Sequence, residues 1–278
     1  MTDLDAVPAL SRWRRTMVSD GTLAVECLER GDGPGVILLP EIPGIMPGTI
    51  ALGDLLVEHG FTVVMPSLFG TPGRRPGALG QAVAVAKLCV MAEFRAFSLD
   101  LRGQVTDFLR LVARELAART PGRGVGIVGM CFTGGFAIAT AVTTGDIMAT
   151  VVSQPAAPFA VSPSRARSIG VPGSVLDGYG ASRGDSAPCV LGLRFTRDRT
   201  SGDARLSTLE RHLGRAVRIV RIPSGPGSVD GTPAGAHSVL TGGVRDDPPN
   251  RAFEERELMF AFLRERLAPV EASDARQP

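Results

Sequence analysis

The chain alternates short apolar runs with longer stretches in which apolar residues return every three or four positions. The short runs fall at 23–28, 36–39, 62–65, 125–128, 149–153, 189–195 and 217–222. Each is rich in β-branched or aliphatic residues and predicts a strand. Between most of them lie helical patterns at 50–59, 99–118, 134–143, 204–213 and 252–267. In 106–116 the apolar positions sit near helical spacing while Arg and Glu take the other face. Strands that read as continuous apolar runs, alternating with helices, predict a mostly parallel central sheet covered on both faces. The expected architecture is therefore a three-layer α/β sandwich.

Three stretches read as loops. Residues 70–80 are rich in Gly, Pro and Arg, 155–188 hold many Gly, Ser and Pro, and 224–235 run Ser-Gly-Pro-Gly-Ser-Val-Asp-Gly-Thr-Pro-Ala-Gly. Long irregular loops in compact domains are usually functional or disordered. No internal repeat is visible. The organisation expected is an N-terminal extension over 1–20, one α/β domain over 21–270 and a frayed tail over 271–278.

Composition narrows the function. The chain has 278 residues, enough to bury roughly three quarters of its unfolded surface as a single domain. Its 30 basic and 28 acidic residues leave a net charge of +2, with both signs scattered and no basic stripe. Nucleic acid and anionic membranes are not expected partners. Lys87 is the single lysine, so arginine carries nearly all the positive charge. No apolar run approaches the ~18 residues of a membrane span, and the N-terminus lacks the basic-then-apolar layout of a signal peptide. Cys27, Cys89, Cys131 and Cys189 lie far apart with no C-x-x-C pair, so neither zinc binding nor a disulfide framework is indicated. The expectation is a cytoplasmic protein whose thiols stay reduced.

The most informative segment is 125–135, Val-Gly-Ile-Val-Gly-Met-Cys-Phe-Thr-Gly-Gly, followed by the helical run Phe-Ala-Ile-Ala-Thr-Ala-Val. A buried strand entering a sharp turn and then a helix is the shape of the nucleophile elbow of α/β-hydrolases. Cys131 occupies the apex. A free cysteine can also be a small buried hydrophobe, but a core cysteine does not need Gly129, Gly134 and Gly135 around it. Cys27, Cys89 and Cys189 sit within strand or helix patterns and are expected to be structural.

A thiol nucleophile needs a base, and the base needs a group that fixes its tautomer. The chain has three histidines. His59 ends a helix, where a cation suits the dipole, and His212 lies on an arginine-flanked, solvated helix face. His237 follows the last predicted strand and its Gly/Pro loop, where a hydrolase base is expected. The chain order nucleophile, acid, histidine asks for a carboxylate between 131 and 237. Asp198, just past the strand 189–195, fits best. Asp203 is the alternative, although it could instead cap the following helix. Glu41 lies at a strand end beside Pro and Gly, where a solvated role is the simpler alternative. The backbone N–H groups of Ile42 and Phe132 fall where the two oxyanion-hole donors are expected.

Four segments in this order resemble the dienelactone hydrolases, the cysteine branch of the α/β-hydrolases: Pro-Glu41-Ile-Pro-Gly-Ile, Gly-Met-Cys131-Phe-Thr-Gly-Gly, Asp198 after its strand, and Ala-Gly-Ala-His237-Ser. The resemblance runs from about 23 to 267. It implies the α/β-hydrolase fold, a triad of Cys131, His237 and Asp198, and Glu41 as a gate that holds the resting thiol until substrate displaces it. It further implies attack of Cys131 on an ester or lactone carbonyl and hydrolysis of the acyl-enzyme. The expectation is a hydrolase of a small carboxylic ester or lactone with no metal or organic cofactor, a monomer or homodimer. The chain departs from the family at Thr133, where glycine is typical. It also departs at 238–241, Ser-Val-Leu-Thr, where members carry an arginine after the histidine, and at 82–89, which lacks their pocket aromatics. Arg95 and Arg245 could supply the missing anion contacts, with an ordinary surface role as the alternative. Dienelactone itself is therefore not carried over as the substrate. Acyl transfer and a non-catalytic binding protein are the rival readings.

Overall fold

The computed structural model describes residues 9–74, 103–158, 162–183, 188–245 and 250–269. Among these, eight strands form one sheet: β1 Arg14–Ser19, β2 Ala24–Arg30, β3 Gly35–Leu39, β4 Thr62–Pro66, β5 Val125–Met130, β6 Ile147–Ser153, β7 Val190–Phe195 and β8 Val217–Ile222. Their spatial order is β1-β2-β4-β3-β5-β6-β7-β8. The β1–β2 and β2–β4 pairs are antiparallel and the remaining five are parallel. Every residue of β3, β4, β5 and β7 is buried. That two-sided burial is why these strands read as unbroken apolar runs.

Seven helices cover the sheet among the described residues: α1 Pro47–Glu58, α2 Gln104–Arg119, α3 Gly134–Thr143, α4 Pro163–Arg167, α5 Gly173–Ser182, α6 Asp203–Leu213 and α7 Arg251–Leu267. One apolar core joins the sheet to α2, α3, α5 and α6, through Phe108, Leu116, Phe136, Ile138, Leu176 and Leu209. The other joins the opposite face to α1 and α7, through Ile50, Leu56, Met259, Phe260 and Leu263. The sheet thus carries a core on each side, and its C-terminal strand ends are left to the loops, where α/β proteins gather their reactive groups.

Two sequence expectations are corrected here. Residues 14–19, assigned to an N-terminal extension, form β1 and pair with β2 over their full length. Their Arg-Arg-Thr-Met-Val-Ser sequence is partly or fully exposed, as an edge strand tolerates, so no apolar run announces them. Residues 155–188, read as loop, contain α4 and α5. The glycines of α5 answer to packing. A Cβ on Gly173 would come within 2.6 Å of the His212 ring, and one on Gly180 within 3.1 Å of the His212 carbonyl. They let α5 press against α6, and that packing overrides their poor helix propensity. The helix expected over 99–118 begins at Gln104 within the described residues. Positions 99–102, Lys87, Cys89, the segment 82–89, Arg95 and the tail 271–278 lie outside them. No described helix is long and apolar enough to cross a membrane.

Candidate active site

Cys131 follows the last residue of β5 and opens a single 3₁₀ turn, Cys131–Thr133, that runs straight into α3. Its φ is +53°, one of only two positive values at non-glycine positions among the described residues. Such a conformation costs about 1–3 kcal/mol and persists only where the surroundings impose it. Close packing imposes it here. A Cβ at Gly129 would lie 2.6 Å from the Thr133 carbonyl and 2.7 Å from the Ala137 methyl, and one at Gly134 would lie 3.0 Å from Pro155. Only hydrogen fits at Gly129, and Gly134 is tightly packed. Thr133, by contrast, has φ −80° and needs no glycine. Its hydroxyl accepts from the Met130 N–H (3.0 Å) and donates to the Met130 carbonyl (2.9 Å), stitching the turn closed. The threonine that departs from the family pattern thus reinforces the bend.

Asp198 and His237 meet as expected. Asp198 lies in the turn after β7, nearly fully buried, with Oδ2 2.6 Å from His237 Nδ1. Its Oδ1 accepts from the N–H groups of Thr200 (2.8 Å) and Ser201 (3.1 Å). Burial works against its charge, yet the His237 hydrogen bond and these amides hold the carboxyl below its usual range. The turn itself is held by Arg194 of β7. This buried guanidinium donates to the carbonyls of Ser201 (2.9 Å) and Asp198 (3.0 Å), with Asp203 3.4 Å away.

His237 stands in the loop after β8. Its Nε2 is buried and has no hydrogen bond of good geometry among the described residues. The Cys131 sulfur is close enough to act on it. Burial lowers the affinity of the ring for a proton, but Asp198 and Cys131 outweigh it and raise the pKa to about 10.

The other candidates resolve as follows. Asp203 is the first residue of α6, after an N-cap Gly202, and its carboxylate bonds Arg221 (2.7 Å) and Ser207 (3.0 Å), not a histidine. His59 caps α1, stacks on Phe260 and accepts from Arg264 (3.0 Å). His212, expected to be solvated, is instead half-buried and paired with Asp177 at 2.8 Å. Cys27 and Cys189 are buried in the core, and burial pushes the Cys27 thiol up to about 12. The Arg245 guanidinium donates to the Asp230 carbonyl, tying down the 224–235 loop. A cleft of about 550 Å³ lies beside the acid, lined by Arg197, Asp198, Arg199, Thr200, Ala234 and Gly235. Among the described residues no cluster of His, Cys, Asp and Glu converges as a metal site would.

Glu41 and Ile42 follow β3 and Phe132 follows β5, two strands that pair in parallel with Leu39 opposite Gly129. This register brings the segment after β3 alongside the elbow. The Glu41 carboxylate accepts from Ser238 Oγ (2.7 Å), Thr241 Oγ1 (2.9 Å) and Gln154 Nε2 (3.3 Å). No hydrogen bond joins it to the Cys131 sulfur among the described residues. Ser238 and Thr241 thus occupy the stretch where the family's arginine is missing. Gln154 was not singled out by its sequence, since a lone glutamine after a strand carries no signal. It is fully buried with φ +33°, the other non-glycine outlier, at the end of the strand beside Cys131. Its Oε1 accepts from Ser153 and from the Val239 N–H (3.3 Å), so it locks the loop after His237 to the sheet.

Comparison with known proteins gives the family and the fold. The chain is 29% identical over 157 residues to a carboxymethylenebutenolidase of Rhodococcus opacus, an alignment that covers 55% of this chain and 58% of that protein. The chain therefore matches little more than half the length of that relative. Its fold is similar to a protein from Klebsiella pneumoniae named a putative dienelactone hydrolase, with a TM-score of 0.58 at 17% identity, covering 90% of this chain and 98% of the other. It is also similar to a dienelactone hydrolase-like promiscuous phosphotriesterase from metagenomic libraries, with a TM-score of 0.56 at 16% identity and the same coverage. The sequence model of the Dienelactone hydrolase family matches residues 22–173, more than half of the chain. The chain belongs to the dienelactone hydrolase family, hydrolases of the α/β-hydrolase fold.

Proposed function

We propose that the protein hydrolyses a small carboxylic ester or lactone through a covalent thioester on Cys131, with His237 as base and Asp198 as its orienting acid. The observation that carries this is the 2.6 Å Asp198–His237 pair, which leaves the opposite ring nitrogen, Nε2, buried beside Cys131 with no other partner among the described residues. The Cys131 proton is held on His237 as an ion pair, and the thiolate sulfur attacks the carbonyl carbon. The oxygen gains the charge, held by the N–H groups of Ile42 and Phe132. Collapse breaks the carbon–oxygen ester bond, and the imidazolium returns the proton to the departing alcohol. Water then gives a proton to His237 and attacks the thioester, and collapse releases the acid and the thiolate. Glu41, held by Ser238, Thr241 and Gln154, leaves the sulfur to His237 in the resting state.

The test is turnover of a panel of p-nitrophenyl esters and lactones by the wild type, Cys131→Ala and Cys131→Ser, with mass spectrometry of the protein during turnover. Cys131→Ala should lose at least about 1,000-fold in kcat and show no acyl adduct. Cys131→Ser should retain little, because a site built for a thiol need not activate a hydroxyl. Near-wild-type rates in either variant would remove the thiol from the mechanism. Products formed with added alcohol or amine acceptors would point to acyl transfer, and no turnover or acylation on any substrate to a binding role.

A further inference from the structure

Arg205, on the first turn of α6, has the bulkiest of the fully buried side chains, at 1% exposure. Burying a guanidinium is costly unless its charge is met. Arg194, the other buried arginine beside the site, has Asp203 within 4 Å. Arg205 has no carboxylate within that range among the described residues. Its partners are three neutral carbonyls: Pro155 (2.9 Å), Pro158 (2.5 Å) and Arg165 (3.2 Å). Its Nε bonds nothing among the described residues. Carbonyl partners satisfy hydrogens but do not neutralise a cation, so a counter-charge is owed.

The bonding path shows where it is owed. The Pro155 carbonyl that Arg205 holds belongs to the same peptide group as the Ala156 N–H. That N–H donates to the Cys131 carbonyl at 2.9 Å. Guanidinium, peptide and nucleophile backbone therefore form one hydrogen-bonded chain, and such chains polarise cooperatively. The Gly134 N–H is the second donor to the same carbonyl. Pro155 also packs against the elbow at Gly134. Among the described residues, the groups on which the Cys131 charge acts are His237, with Asp198 bonded to its other ring nitrogen, and Arg205; Glu41 lies on the segment after β3. The helix that follows Cys131, α3, contains no charged residue.

We infer that Arg205 is a positioning residue for the nucleophile: through the Pro155–Ala156 peptide it fixes the Cys131 backbone, and its buried cation favours the thiolate over the thiol. Burial pulls the guanidinium down, a negative charge on Cys131 acts in the opposite direction, and the balance lies at about 10. The inference rests on the proposed nucleophilic role of Cys131 and extends it to a group outside the triad.

The experiment is the pH dependence of iodoacetamide labelling, which forms a carbon–sulfur bond with loss of iodide and requires the thiolate but no substrate. Two variants separate charge from bonding. Arg205→Lys keeps the cation and shortens its reach, whereas Arg205→Gln keeps amide donors and removes the cation. In Arg205→Gln the labelling midpoint should rise by about one pH unit, a roughly tenfold slower reaction below it, with kcat reduced and KM little changed. In Arg205→Lys the midpoint should stay within about 0.3 unit of the wild type. The inference is overturned if folded Arg205→Gln keeps the wild-type midpoint, or if Arg205→Lys moves it as far as the loss of charge would. Should Arg205→Gln fail to fold, Arg205→Met, which also removes the cation, takes its place with the same expected rise and the same overturning result. Peptide mass analysis keeps the two claims apart. If residue 131 of the wild type is not labelled, the nucleophile reading fails, whereas an unmoved midpoint with residue 131 labelled removes only Arg205.

Discussion

The bend at Cys131 depends on atoms that are missing. Gly129 has no room for a methyl group, since three neighbouring atoms would lie within 3.0 Å of it, two of them backbone. Gly129→Ala should therefore lower stability by about 1–3 kcal/mol and slow labelling of Cys131, because the turn must open to admit the carbon. A thermal melt and a labelling rate check both, and an unchanged melting temperature would mean that the elbow relaxes freely. This part of the site was legible in the sequence because steric demand writes itself as glycine. The roles of Thr133, Gln154 and Arg205 were not. Threonine reads as a poor substitute for glycine until its hydroxyl is seen bonding Met130. A buried glutamine or arginine looks like any surface polar residue until the fold encloses it.

At the scale of elements, β3 and the loop after β8 converge on Glu41. Ser238 and Thr241, brought in by that loop, supply two of its three side-chain donors. Removing both, as in Ser238→Ala with Thr241→Val, leaves the carboxylate only its Gln154 side-chain donor and lets it turn toward the elbow, where its charge would oppose a thiolate. Labelling of Cys131 should slow several-fold in the double variant, and adding Glu41→Gln should restore it. Equal rates in all three proteins would detach Glu41 from the thiol. The elements themselves were read with uneven success. Seven strands and five helices gave away their positions through periodicity, with ends displaced by a few residues. β1 did not, being a polar edge strand. Nor did α5, whose glycines serve a helix–helix contact and so read as loop.

The whole molecule brings together site residues 200 positions apart, as between Glu41 and Thr241, by stacking loops at one edge of a sheet buried on both faces. The fold class was legible because that burial imposes a pattern on every strand, whereas the pocket depends on loops that follow no pattern. The Asp198–His237 pair ties this assembly to pH. In the folded state His237 is raised from 6.5 to about 10, so its contribution is complete below pH 6.5 and is lost as pH climbs toward 10. Asp198 is lowered from 3.8, so its contribution is present above that value and is lost as pH falls through the folded one. Both act together between about pH 4 and 6.5. The melting temperature of the wild type should exceed that of Asp198→Asn most in this window, and the gap should narrow steadily toward pH 10. A gap that stays flat from pH 5 to pH 10 would mean that the imidazole carries no excess proton in the native state. The pair would then orient the ring without charging it.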